Sequence, residues 1–336
     1  MNFAYKILGT GSYLPGPSVE NERFSEFLDT SDEWISTRTG ISRRHLSQGE
    51  PTWKMGLHAA TAAVEAAGID AREIGLIIVS TLTPDYTTPI LSCILQKELG
   101  AVNAFCFDVN EACTGFIQCF DIAMRYLMTS DIRHVLIVSA ESLSKLVDYS
   151  DRRSCVLFGD GAGAVVLSRD LKSENTPYEA FFGADGELGG AIVGEAFPPA
   201  RHPFMPEDMP VELTRFDHPS GRHIAMQGQE VYRFATTKMP FSVEKVLARA
   251  NLSVDQIDRI IPHQANDRIL QSAAKRLGIP SEKMVSHLRD MGNTSSASIP
   301  ICLDQEVRAG RIKRGEKLIF AGFGGGLTYG ALLCEY

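Results

Sequence analysis

The chain has 336 residues, 44% of them apolar and 22% charged, which is ordinary for a globular protein and enough for two core-forming units or one large duplicated one. A net charge of −8 excludes the basic stripe of a nucleic-acid binder, and no apolar run reaches the ~18 residues of a membrane span. The N-terminus lacks the basic and apolar blocks of a secretory signal, and the seven cysteines are irregularly spaced with no CxxC pair, so a reduced cytoplasmic protein without disulfides or metal is expected.

In chain order, helical periodicity over residues 53–67 starts after Pro51-Thr52 and stops at Gly68. A strand at 76–80, a helix at 90–99 and a strand at 103–109 follow. A helix at 113–129 and a strand at 134–140 come next. Phe158-Gly159-Asp160-Gly161-Ala162-Gly163-Ala164 reads as a tight glycine turn feeding a strand at 164–168. The segment 185–223 is rich in Gly, Pro and His, lacks periodicity, and has the length of a lid or channel wall. The second half offers helices at 227–250, 266–277 and 296–309, with strands at 258–262, 316–322 and 328–335. This alternation implies a layered α/β fold.

Two internal echoes suggest duplication. Residues 67–78 resemble 250–261, and residues 133–139 resemble 316–322; each precedes or forms a short apolar strand.

Three residues carry the chemistry. Cys113 lies where a short strand enters a helix, so unsatisfied N–H groups and the helix dipole would favour its thiolate; the alternative is a buried small residue. Glu111, two residues away, would oppose the thiolate if it pointed inward. His263 ends an apolar strand within Pro262-His263-Gln264-Ala265-Asn266, as a base, an N–H donor or a simple strand cap. Asn293 follows Gly292 before Thr294-Ser295-Ser296-Ala297-Ser298, as a donor or a helix cap. Gly322-Phe323-Gly324-Gly325-Gly326-Leu327-Thr328 is either a tight hairpin or a backbone able to approach a ligand closely. A nucleophile with two polar assistants points to covalent catalysis.

Taken with Asp32-Glu33-Trp34-Ile35 and Thr37-Arg38-Thr39-Gly40-Ile41, these segments make six motifs in the order of one family. The chain resembles the β-ketoacyl-acyl-carrier-protein synthases III of the thiolase superfamily, essentially end to end. The resemblance implies an α/β fold of the thiolase-like, duplicated five-layer αβαβα kind. It implies an N-terminal half (1–172) carrying the cysteine and a C-terminal half (173–336) carrying the histidine and asparagine. It further implies a homodimer, with acyl-CoA and acyl carrier protein as partners and no cofactor beyond the substrates.

By the same resemblance Cys113 takes an acyl group from acyl-CoA, with the backbone N–H groups of Cys113 and Gly325 as oxyanion hole. His263 and Asn293 then donate to a decarboxylating malonyl thioester. Trp34, Arg152 and Asn266 would hold CoA. Arg233, Arg268, Lys275 and Arg276 would draw the carrier protein, or simply form a solvated face. Thr88 stands in the acyl-pocket loop where acetyl-restricted enzymes carry a bulky Phe, which predicts a larger primer. Arg153 and Tyr232 also depart from the family pattern. Other readings are an acyltransferase of secondary metabolism with a different acceptor, a decarboxylase-only subunit, and an HMG-CoA-synthase-like enzyme using Glu111.

Overall fold

A computed structural model describes residues 4–170, 178–194, 203–204 and 223–336. In the first half β1 (Tyr5–Tyr13), α1 (Asp32–Thr39), α2 (Thr52–Ala67), β2 (Ile74–Ser80), α3 (Leu91–Leu99), β3 (Phe105–Val109), α4 (Gly115–Thr129), β4 (His134–Ser142) and β5 (Asp160–Arg169) follow one another. The second half contains β6 (Glu179–Ala184), α5 (Gly228–Ala250), β7 (Arg259–Pro262), α6 (Asp267–Leu277), α7 (Ser298–Arg308), β8 (Lys317–Gly324) and β9 (Thr328–Glu335).

The strands form two principal sheets of the same plan. The first has the order β1-β5-β4-β2-β3 and the second β6-β9-β8-β7. In each, two antiparallel pairs lead to a parallel pair. The parallel partner β3 on β2 has a remnant in the second sheet, a single parallel bridge between Ile260 and Met284. Both sequence echoes are offset by 183 positions (67 to 250, 133 to 316) and fall on matching elements of the two sheets.

Apolar clusters reveal five layers. Ala59, Ala63 and Leu95 of α2 and α3 pack on Ile77 and Val138 of the first sheet. In the centre, Phe116 and Phe120 of α4 and Ile299 and Leu303 of α7 fill the space between Ile78 and Ile137 on one side and Phe320 and Leu332 on the other. On the far face Phe234 and Val243 of α5 and Leu270 of α6 cover Ile319 and Leu333. All three helix pairs are therefore held by apolar faces of the sheets, and this is the expected αβαβα architecture.

Several details differ from the expectation. The glycines of 158–164 make no turn before the strand: β5 already begins at Asp160, and Gly161 and Gly163 lie inside it. A Cβ on Gly163 would sit 2.7 Å from the Ile301 nitrogen, so these glycines let α7 lie against the sheet. The helix expected at 113–129 starts with a 3-10 turn, Ala112–Thr114, and that at 296–309 with Ser295–Ala297. The boundary expected between residues 172 and 173 lies outside the described residues, as does most of the segment 185–223.

Candidate active site

The chemistry gathers where the central helices α4 and α7 begin. The 183-residue offset that relates the two sheets also carries Ala112 to Ser295, Cys113 to Ser296 and Gly115 to Ser298. Ala112 and Ser295 both adopt left-handed φ values, 45° and 49°, which L residues seldom do. Each bends the chain sharply into its helix. Strand ends obey the same relation: Ser80 closes β2 and maps onto His263, just beyond β7. The site thus lies at the junction of two related halves, beside the carboxyl ends of parallel strands.

Cys113 Sγ lies 3.3 Å from Ser295 Oγ and faces a cavity of about 300 Å³. Burial pushes the thiol up to about 12, against the pull of the Ser295 hydroxyl, and nearby Glu141 adds to the rise. Desolvation thus opposes the thiolate that a helix N-terminus favours. Glu111, half-buried, is itself pushed up by desolvation.

His263 is buried, its ring edge-on to Phe323 with centroids 5.5 Å apart. Burial drives its pKa down to about 3, with the Ser295 backbone a smaller opposing influence, so the ring is neutral. Its Nδ1 lies 2.8 Å from Ser298 Oγ, and that oxygen also accepts the Gln264 backbone N–H at 3.2 Å. The hydroxyl proton is free to meet Nδ1, and in that arrangement the imidazole proton sits on Nε2.

Asn293 is fixed by a similar argument. Its Oδ1 accepts the Ser295 backbone N–H at 2.9 Å, and a backbone donor can only meet the carboxamide oxygen. Asn293, like His263, lines the cavity. Both side chains carry N–H groups and border the cavity that Cys113 also lines.

The glycine segment is both a hairpin and a close approach. Gly324 pairs with Thr328, and a Cβ on Gly324 would come within 2.9 Å of the Cys113 nitrogen. Thr328 Oγ1 joins Thr114 Oγ1 at 2.7 Å and donates to the Gly325 carbonyl at 3.3 Å. These bonds tie the Gly325 peptide to the nucleophile turn.

Towards the mouth the cavity is lined by Trp34, Arg38, Arg152, Arg153, Tyr232 and Asn266. The guanidiniums of Arg38 and Arg152 lie 4.5 and 5.0 Å from the Trp34 ring centroid. Arg152 Nη1 also reaches the Asp29 carbonyl, and the Asp29 carboxylate at 3.1 Å. Asn266 caps α6 through the Arg268 N–H and donates to the Arg38 carbonyl. The four expected docking residues are all exposed: Arg233 follows the cavity-lining Tyr232 on α5 and Arg268 lies two residues beyond Asn266, while Lys275 and Arg276 sit at the far end of α6, about 12 Å from Arg268 at 1.5 Å per residue. Thr88 is exposed and does not line the cavity of its own chain. Sequence reasoning left Ser295, Ser298 and Glu141 without roles.

A half-buried cysteine at a helix start, beside a histidine and an asparagine that line the same apolar cavity in a duplicated thiolase-like fold, defines a condensing enzyme that works through an acyl-cysteine. The comparisons with known proteins agree. The family model described as 3-oxoacyl-[acyl-carrier-protein (ACP)] synthase III matches residues 107–186, and its C-terminal counterpart matches residues 247–336. The chain is 45% identical over 335 residues to a β-ketoacyl-[acyl-carrier-protein] synthase III of Clostridium perfringens (strain SM101 / Type A), covering 98% of each. The crystal structure of 3-oxoacyl-[acyl-carrier-protein] synthase III from Aquifex aeolicus VF5 superposes with a TM-score of 0.90 at 37% identity, over 99% of this chain and 100% of that one. The priming β-ketosynthase from the R1128 polyketide biosynthetic pathway gives 0.88 at 37% identity, over 99% and 96%. The chain belongs to the β-ketoacyl-acyl-carrier-protein synthase III family and is an acyltransferase of that type.

Proposed function

We propose that the chain joins an acyl group held on Cys113 to a malonyl unit carried by acyl carrier protein, with loss of CO2, to give a 3-oxoacyl thioester. The observation that carries this is the pair of neutral side chains beside Cys113: Asn293, whose oxygen accepts the Ser295 N–H, and His263, whose Nδ1 meets Ser298 Oγ, both line its cavity. In the first half-reaction the Cys113 sulfur adds to the acyl-CoA carbonyl, whose oxyanion sits against the N–H groups of Cys113 and Gly325. The CoA sulfur leaves and takes up the thiol proton. In the second, the malonyl carboxylate departs as CO2, and its bonding pair becomes an enolate. The enolate oxygen receives the N–H groups of His263 and Asn293. Its carbon then attacks the acyl group, and the released Cys113 thiolate regains a proton from water.

Trp34, Arg152 and Asn266 are the CoA contacts in this reading, and an adenine ring stacking on Trp34 would take the place of one of its two guanidiniums. Arg233 and Arg268, with Lys275 and Arg276 further off, would attract the acidic carrier. We place the enzyme in the cytoplasm as a homodimer of two-half chains (1–172 and 173–336), needing no cofactor beyond its substrates; among the described residues no helix is long and apolar enough to cross a membrane. Thr88, exposed on its own chain, would wall the partner's acyl pocket and admit primers larger than acetyl. Secondary-metabolism acyl transfer to another nucleophile is not favoured by the relatives.

Intact-protein mass spectrometry after incubation with acyl-CoAs from acetyl to long, branched and aromatic chains tests this, with Cys113→Ala as control. One acyl mass gained by the wild type alone, followed by its loss on adding malonyl-carrier, is the expected result. Label uptake by Cys113→Ala would overturn the assignment of the nucleophile, and acylation by acetyl-CoA alone would overturn the large pocket.

A further inference from the structure

Beneath Cys113 lies a carboxylate that the mechanism above does not use. Glu141, fully buried near the end of β4, makes no ion pair among the described residues. Its neighbours all donate instead. Ser296 Oγ gives to one carboxylate oxygen at 2.7 Å; the other accepts the Leu82 backbone N–H at 3.1 Å and Thr83 Oγ1 at 2.9 Å, with Thr81 Oγ1 more distant at 3.5 Å. Burying a carboxylate without a cation is costly, and an apolar residue of similar size would often serve the fold as well. Its partners indicate its use. Ser296 occupies the position related to Cys113 by the internal repeat, and it follows Ser295, which touches Sγ and holds Asn293. Leu82 is a wall of the same cavity.

We propose that Glu141 is a positioning residue for the condensation, clamping the Leu82 segment and the Asn293–Ser296 segment on either side of Cys113. The clamp fixes the direction in which the Asn293 carboxamide donates, and it sets the negative field at the sulfur. This rests on the condensing reading above.

The test uses the full chain carrying Glu141→Gln, Glu141→Ala or Ser296→Ala. The readouts are acyl uptake from acyl-CoA, turnover with malonyl-carrier, melting temperature, and the pH dependence of Cys113 alkylation by iodoacetamide. The charged or titratable groups near the sulfur are Glu141, neutral His263 and, two residues away, Glu111. Glu141→Ala should lower condensation kcat about 100-fold, the effect of a displacement near 1 Å, while leaving the KM for acyl-CoA within about twofold. Ser296→Ala, which removes the hydroxyl and leaves the carboxyl group in place, should lower kcat about tenfold. Burial pushes the Glu141 carboxyl up to about 7, so above that pH Glu141→Gln should move the alkylation profile to lower pH by removing a charge that opposes the thiolate. If Glu141→Ala does not fold, the other two variants decide. Wild-type kcat in Ser296→Ala together with a wild-type alkylation profile in Glu141→Gln would overturn the clamp, even if both proteins melted earlier. A wild-type chain that took up no acyl group would instead overturn the condensing reading, and this inference with it.

Discussion

His263 and Asn293 do similar work for different physical reasons. Asn293 cannot titrate, and its oxygen is tied to the Ser295 N–H, so it donates at every pH. His263 reaches the same state through burial, which lowers its pKa from 6.5 to about 3. A histidine lowered in the folded state favours folding fully above its ordinary pKa; that contribution is lost as pH falls from 6.5 towards 3. The condensation rate should accordingly show no histidine step around pH 6.5, whereas thermal stability should decline on acidification from 6.5 towards 3. Replacing either residue with Ala should reduce malonyl decarboxylation by about 10²–10³, the usual loss for one oxyanion donor. Acyl uptake by Cys113 should change much less, and measuring the two half-reactions separately checks this. A rate that rose through pH 6.5 in the wild type but not in His263→Ala would show that the ring titrates during turnover.

At the scale of elements, glycine decides how closely helices approach the sheets. Gly163 in β5 faces the Pro300–Ile301 backbone of α7, where an added Cβ would lie 2.7 and 2.8 Å from backbone atoms. Gly163→Ala should therefore cost about 1–3 kcal/mol in urea unfolding and loosen the start of α7, which carries Ser298 and so the orientation of His263. Unchanged stability would mean that α7 moves aside freely. The same close packing explains what the sequence did and did not reveal. The helices 52–67, 90–99, 227–250 and 266–277 were legible to within a residue or so, because apolar periodicity and a following Gly or Asn mark them. β1 was not legible, since Gly9 and Gly11, needed for contact with the α2 backbone, interrupt its apolar pattern. Cys113, His263 and Asn293 could be read as a set only through motif order, for their convergence depends on the two halves meeting across α4 and α7. Ser298 and Glu141 stayed hidden because a hydroxyl in a small-residue helix and an acid near a strand end have no pattern of their own. The one signal was the acid itself, in a strand whose every residue is buried.

For the whole molecule, the unmatched feature is the free edge of the first sheet. Among the described residues β3 pairs only with β2, and its first residue Phe105 and nearby Val102 are 57% and 68% exposed. Edge strands of natural proteins are normally shielded by charge, proline or a covering element, because unpaired N–H and C=O groups invite another strand. Here apolar side chains accompany the open edge, which suits a second copy of the chain better than water. The loop bearing Thr88 leads into α3, which packs beside this edge strand, so a partner seated there would lie near that loop. If this edge forms the homodimer, Phe105→Asp should produce monomers by light scattering coupled to size exclusion, since a buried, unpaired carboxylate at such a contact is strongly unfavourable. Activity should fall with dimer content, and the discrimination among acyl-CoAs should weaken, because in the proposed dimer the Thr88 wall of each pocket would come from the partner. A Phe105→Asp protein that remained dimeric would move the interface elsewhere. One that became monomeric yet kept both its rate and its primer preference would place the acyl pocket within a single chain, and Thr88 would then have no part in choosing the primer.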